Sequence, residues 1–100
     1  MALQLTEFRN VFSVYGKLNM GNVTILEDHL RKSIHPDQHI TLNLERVDEI
    51  DTEAALSLRE LFIEAMRRNS VLSIIGRENT KIRSVFKATK TAYILSHDRV

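Results

Sequence analysis

The sequence predicts a single α/β domain on a mixed, mostly parallel sheet, and three observations predict it. Short apolar stretches that alternate with period two take turns with longer stretches whose apolar residues recur at helical spacing. The only proline, Pro36, and the three glycines all fall where one pattern gives way to the next. One hundred residues is the size of one compact domain, so residues 1–100 are read as one unit without a linker, repeat or low-complexity segment. Strands that alternate with helices imply crossover connections and parallel pairing.

The elements follow in order. Leu3 and Leu5 alternate with polar residues and Phe8 follows, which marks a first strand. Residues 11–15 (VFSVY) form a second strand ended by Gly16, and Arg9-Asn10 is short enough for a hairpin turn. Over residues 22–33, Val23, Leu26 and Leu30 recur at helical spacing, with Ile34 just beyond. Asn22 can cap this helix, and Pro36 cannot continue it. Residues 39–44 make the third strand, with Ile40, Leu42 and Leu44 on one face and a short polar turn after it. The longest helix spans 52–68, with Ala55, Leu58, Leu61, Phe62 and Ala65 inward and Asn69 as its stop. Glu60 and Glu64 against Arg67 and Arg68 form its solvated side. Residues 71–75, apolar except Ser73, read as a strand buried on both faces. Asn79-Thr80 opens a third helix with Ile82, Val85 and Phe86 inward, and 92–95 is a last short strand. The order is β-β-α-β-α-β-α-β.

Composition narrows the function. The content of 43% apolar and 27% charged residues is that of a globular chain. A net charge of +1 does not advertise nucleic acid or an anionic membrane. The absence of cysteine removes disulfides and thiol chemistry. The first residues carry no basic segment followed by an apolar core, and no apolar run approaches the roughly 20 residues that span a bilayer. A cytoplasmic protein without direct membrane insertion is the expectation.

The chemistry concentrates at the start of the long helix, in Asp51-Thr52-Glu53-Ala54. Hydroxyl and carboxylate groups there lie just beyond the C-terminal end of a strand, where ligands and partners of α/β sheets meet the loops. A helix start offers unpaired N–H groups and the positive end of the dipole, a seat for phosphate or for an acid that faces a partner's cation. Gly16-Lys17-Leu18-Asn19 falls at the same end of the sheet. Elsewhere the signals are weak. Of His29, His35, His39 and His97, only His35 and His39 stand four apart, and Pro36 breaks any helix through them, so no metal site is expected. Ser33, Ser57, Ser70 and Ser84 lack nucleophile-elbow glycines, and no phosphate-cradling glycine loop exists. Glu45, Asp48, Glu49, Asp51 and Glu53 read as a solvated acidic edge near one loop. Arg83, Lys87 and Lys90, with Arg77 and Lys81 nearby, read as a solvated basic stripe able to steer an acidic protein partner. Neither an enzyme nor a cofactor is expected, and six aromatics at mostly core positions do not favour nucleic acid.

The chain resembles the STAS domain family of bacterial anti-sigma factor antagonists. That family carries a Gly-x-Leu-Asp turn ahead of its first helix, matched here by Gly16-Lys17-Leu18-Asn19. It then runs an aliphatic strand into Asp-Ser-Ser/Thr-Gly-Leu, matched by Leu42-Asn43-Leu44 through Val47 and Ile50 into Asp51-Thr52-Glu53-Ala54-Ala55-Leu56. A buried strand, a glycine and a third helix follow at 71–76 and 81–89. The resemblance implies a non-enzymatic partner-switching module in transcription regulation that binds a protein around its second helix, with phosphorylation of the hydroxyl before the glycine blocking contact. It implies contact through Asn19, Asp51, Thr52, Glu53, Ala54 and Ser57, with an anti-sigma factor of the serine-kinase type as partner. The alternatives are an accessory STAS subunit of a lipid-transport ABC system that binds its ATPase, or a nucleotide- or phosphate-binding domain.

Three positions depart from the pattern. Glu53 stands where the phosphoacceptor would be, which leaves Thr52 as the one candidate for phosphorylation there. Asn19 replaces the acid of the first loop, and Ala54 replaces the glycine. Glu53 can mimic the phosphorylated state, contact a partner directly, or merely complement the helix dipole by roughly 0.3–1 kcal/mol. The sequence ends at Ser96-His97-Asp98-Arg99-Val100, where relatives add a final helix. One sheet face is therefore expected to be thinly covered, open to self-association as a homodimer or to a docked partner.

Overall fold

The computed structural model describes residues 3–97. Residues 1–2 and 98–100, which include the last three positions of the C-terminal tail, lie outside the described residues. The elements are β1 (Gln4–Phe8), β2 (Val11–Leu18), α1 (Val23–Arg31), β3 (His39–Ile50), α2 (Thr52–Arg67), β4 (Val71–Ile75) and α3 (Thr80–Ala88), followed by one 3-10 turn, Ala92–Ile94. The sheet order is β1-β2-β3-β4. β1 and β2 are antiparallel, whereas β3 runs parallel to both β2 and β4. Arg9 (φ 50°) and Asn10 (φ 64°) are both left-handed, the geometry of a tight two-residue hairpin turn.

One hydrophobic core joins the sheet to all three helices. Phe12, Val14, Ile40, Leu42, Leu44, Leu72 and Ile74 face Leu26 and Leu30 of α1, Leu58 and Leu61 of α2, and Ile82 and Phe86 of α3. These strand residues share one phase of the pleat, so the helices cover one face of the sheet. The opposite face carries Val11, Ser13, Tyr15, Thr41, Asn43 and Ser73, all half-buried, and Phe8, which is 70% exposed.

Both central strands run further than their alternation predicts. β2 passes through Gly16, whose φ of 97° suits a residue without a side chain, and continues to Leu18. β3 does not turn after Leu44 but reaches Ile50. Its pairing with β2 slips between Ser13 and Tyr15 and again between Gly16 and Lys17, each time by one extra β3 residue. Each bulge resets the pleat, so Leu44, Val47 and Ile50 are all buried although they stand three apart. A spacing of three looks like the end of a strand when two is expected.

The other differences are local. Asn22 precedes α1 but makes no side-chain cap. Its carboxamide closes the preceding loop instead, accepting from Asn19 N at 2.9 Å and donating to Lys17 O at 2.9 Å. β4 is an edge strand, and Val71 is 55% exposed, so burial on both faces fails at its first residue. The expected last strand is the 3-10 turn. Only Leu95 reaches the sheet, through a single parallel bridge to Ile74 backed by Ser96 N donating to Ile74 O at 2.7 Å. Asn69, at φ 58°, closes α2 as expected, with Ser70 N on Ala65 O and Asn69 N on Met66 O.

Candidate functional site

β2 and β3 are parallel and end in register, Leu18 beside Ile50, so the loops beyond them lie side by side. That brings 19–22 and 51–53 together at one end of the sheet. Asp51 joins them. Its backbone is extended (φ −98°, ψ 170°), and its Oδ1 accepts from Ala54 N at 2.8 Å as the N-cap of α2. Its Oδ2 accepts from Met20 N at 3.0 Å, and Asp51 N donates to Leu18 O at 3.2 Å. Both carboxylate oxygens are thus committed within the molecule, and Asp51 positions the two loops.

The neighbouring loop is built just as tightly. Asn19 O accepts from Asn22 N and Val23 N, and Asn19 Oδ1 accepts from Gly21 N at 2.9 Å. Asn19 is half-buried, and its side-chain oxygen serves its own turn.

On this base stand Thr52 and Glu53, both exposed in the first turn of α2. Ser57 follows one helical turn after Glu53 and is half-buried. Ala54 is fully buried, so its side chain belongs to the core beneath the site and cannot itself touch a partner. Two exposed apolar residues that the sequence pattern did not single out lie on the loop before α1 and on α1 itself. Met20 is 66% exposed on the loop that Asp51 holds, and Ile25 is 55% exposed in the first turn of α1. Ile25 is an apolar residue off the buried stripe of α1, and Met20 comes to the start of α2 through its backbone bond to Asp51.

The acidic residues do not gather in one loop. Glu45, Asp48 and Glu49 lie along the second half of β3, because that strand continues where a turn was expected. Glu49 pairs with Lys17 at 3.5 Å and Asp48 with Lys81 at 3.4 Å, both at the surface. Among the described residues, no group of three or more His, Cys, Asp or Glu side chains converges as a metal site would require. His39 Nε2 meets Ser73 Oγ at 2.7 Å across the β3–β4 pair. No helix among the described residues is long and apolar enough to cross a membrane.

Comparison with known proteins agrees with this architecture. A family model described as the STAS domain matches residues 2–97. The search of curated proteins found no match. Among solved structures, the anti-sigma factor antagonist SpoIIAA in its unphosphorylated form superposes with a TM-score of 0.61 at 19% identity, over 95% of this chain and 86% of that one. An anti-sigma factor antagonist from Mycobacterium paratuberculosis gives 0.67 at 14% identity, over 94% and 81%. A structure of Mglu gives 0.57 at 20% identity over 75% of this chain, which spans only 19% of that longer one. At these identities the superpositions establish a shared fold.

Proposed function

The chain belongs to the STAS domain family, and on that premise we propose that it is a non-enzymatic protein-interaction module of the anti-sigma factor antagonist kind. The observation that carries this reading is the start of α2. Thr52 and Glu53 project from a helix end that Asp51 fixes through both carboxylate oxygens, and Glu53 makes no ion pair among the described residues. An unpaired carboxylate on a rigid base, bordered by exposed Met20, suits a partner that presents a cation beside an apolar recess. Thr52, Glu53 and Ser57 form the contact surface, with Asp51 and Asn19 as its support.

Glu53 also shapes how the module would be regulated. A carboxylate at this position carries a constant single charge, where a phosphorylated hydroxyl would carry about −1.5 to −2 and three acceptor oxygens. Contact at Glu53 is therefore constitutive, and any phosphorylation switch rests on the exposed hydroxyl of Thr52. The same observation favours one second reading, a non-switching accessory subunit that docks on an ABC-type ATPase.

The test is the affinity of Glu53→Ser and Glu53→Lys for a purified partner, either an anti-sigma kinase or an ABC ATPase. A charge-dependent contact predicts that lysine weakens binding by about tenfold or more, through like-charge juxtaposition, and serine by less. Equal affinity for both variants and the parent would remove Glu53 from the interface. Which of the two proteins binds decides between the readings.

A further inference from the structure

We propose that the hollow between α3 and the chain after it is a binding site for a phosphate-sized dianion, free phosphate or the phosphomonoester of a larger ligand. The hollow measures about 160 Å³ and is lined by Arg77, Glu78, Arg83, Lys87, Ala92 and Leu95. Three cations thus surround one small space against a single carboxylate, with two apolar side chains in its wall.

The two guanidinium groups are held in place. Arg77 Nη1 donates to Leu95 O at 3.5 Å, and Arg83 Nη1 donates to Arg77 O at 3.3 Å. Each anchor uses one of the five N–H donors of a guanidinium, a group whose planar fork matches the oxygens of an oxyanion. Lys87 follows Arg83 by one helical turn and lines the same hollow.

The basic stripe of the sequence is therefore not uniform. Lys81 turns away to Asp48, and Lys90 sits in the left-handed turn after α3 (φ 59°). Neither lines the hollow. Three separate donor groups around one cavity suit a tetrahedral anion with several acceptor oxygens, whereas a lone carboxylate is satisfied by one guanidinium fork.

The site is distinct from the start of α2 and stands or falls without it. The test is a titration of isotope-labelled protein with sodium phosphate at constant ionic strength and neutral pH, read by amide chemical shifts. O-phosphoserine, a nucleoside monophosphate and acetate are titrated in parallel. The site predicts saturable shifts confined to residues around Arg77, Arg83, Lys87 and Leu95. Arg83→Gln weakens phosphate binding about tenfold, the weight of one charge-assisted hydrogen bond, and Lys90→Gln leaves it unchanged. Tighter binding of phosphoserine or the nucleotide than of phosphate assigns the source to a phosphomonoester, and the reverse order assigns it to free phosphate. Shifts that do not saturate, equal losses in Arg83→Gln and Lys90→Gln, or acetate bound as tightly as phosphate would overturn the proposal.

Discussion

Glu27 and Asp51 show how differently one carboxylate can serve from another. Asp51 is a positioning group whose charge is matched by two backbone N–H donors. Glu27 lies half-buried on α1, and burial pushes its carboxyl above the usual 4.5. Arg31 pulls the other way, while Asp28 and Glu64 add to the rise. The folded chain therefore holds this proton more tightly than the unfolded chain does. As pH climbs from 4.5 through the raised value, the unfolded state loses the proton first, so stability falls across that window and the cost persists above it. Glu27→Gln should raise the thermal midpoint at neutral pH, and the gain should disappear once the pH is taken below 4.5. A gain that persists in acid would mean that packing, and not ionisation, is responsible.

At the scale of the element, β3 explains most of what the sequence conceals. Its first half alternates cleanly and is legible as a strand. Its second half is not, because each bulge turns a spacing of two into a spacing of three. The bulges also leave carbonyls to satisfy, and a residue 32 and 35 positions further along the chain supplies the donors, as no local pattern could announce. Asn79 Nδ2 donates to both Leu44 O and Val47 O at 2.9 Å, while Asn79 Oδ1 caps α3 by accepting from Lys81 N at 3.0 Å. The cap is readable in Asn79-Thr80; the clamp on β3 depends on tertiary packing. Replacing Asn79 by Ala removes the cap and strands two buried carbonyls, at a cost of about 2–4 kcal/mol. Asn79→Asp should not rescue it, because an oxygen would then face both carbonyls. Urea unfolding measures both, and a loss below about 0.5 kcal/mol, the scale of an ordinary surface change, would contradict the clamp.

For the whole molecule, the fold was readable from its alternation of strands and helices, and the start of α2 from Asp51 placed before a helical stripe. What stayed hidden depends on long-range register. The pairing of Leu18 with Ile50 brings Met20 to Asp51, and Ala54 proves to be core because α2 meets the sheet along that line. The three helices cover one face of the sheet, and the opposite face carries Phe8, which is exposed, with Val11 and Tyr15 half-buried beside it. The charges are also divided, with carboxylates along β3 and at the start of α2, and cations around α3.

The most direct test of the central claim is photo-crosslinking in cells, with the reactive side chain at Thr52 or, for comparison, at Ser84 on the exposed side of α3. A partner contact at Thr52 and Glu53 gives a discrete protein adduct from position 52 that disappears in the Glu53→Lys background, and no such adduct from position 84. An adduct of equal yield from position 84, or one from position 52 that survives Glu53→Lys, would contradict it.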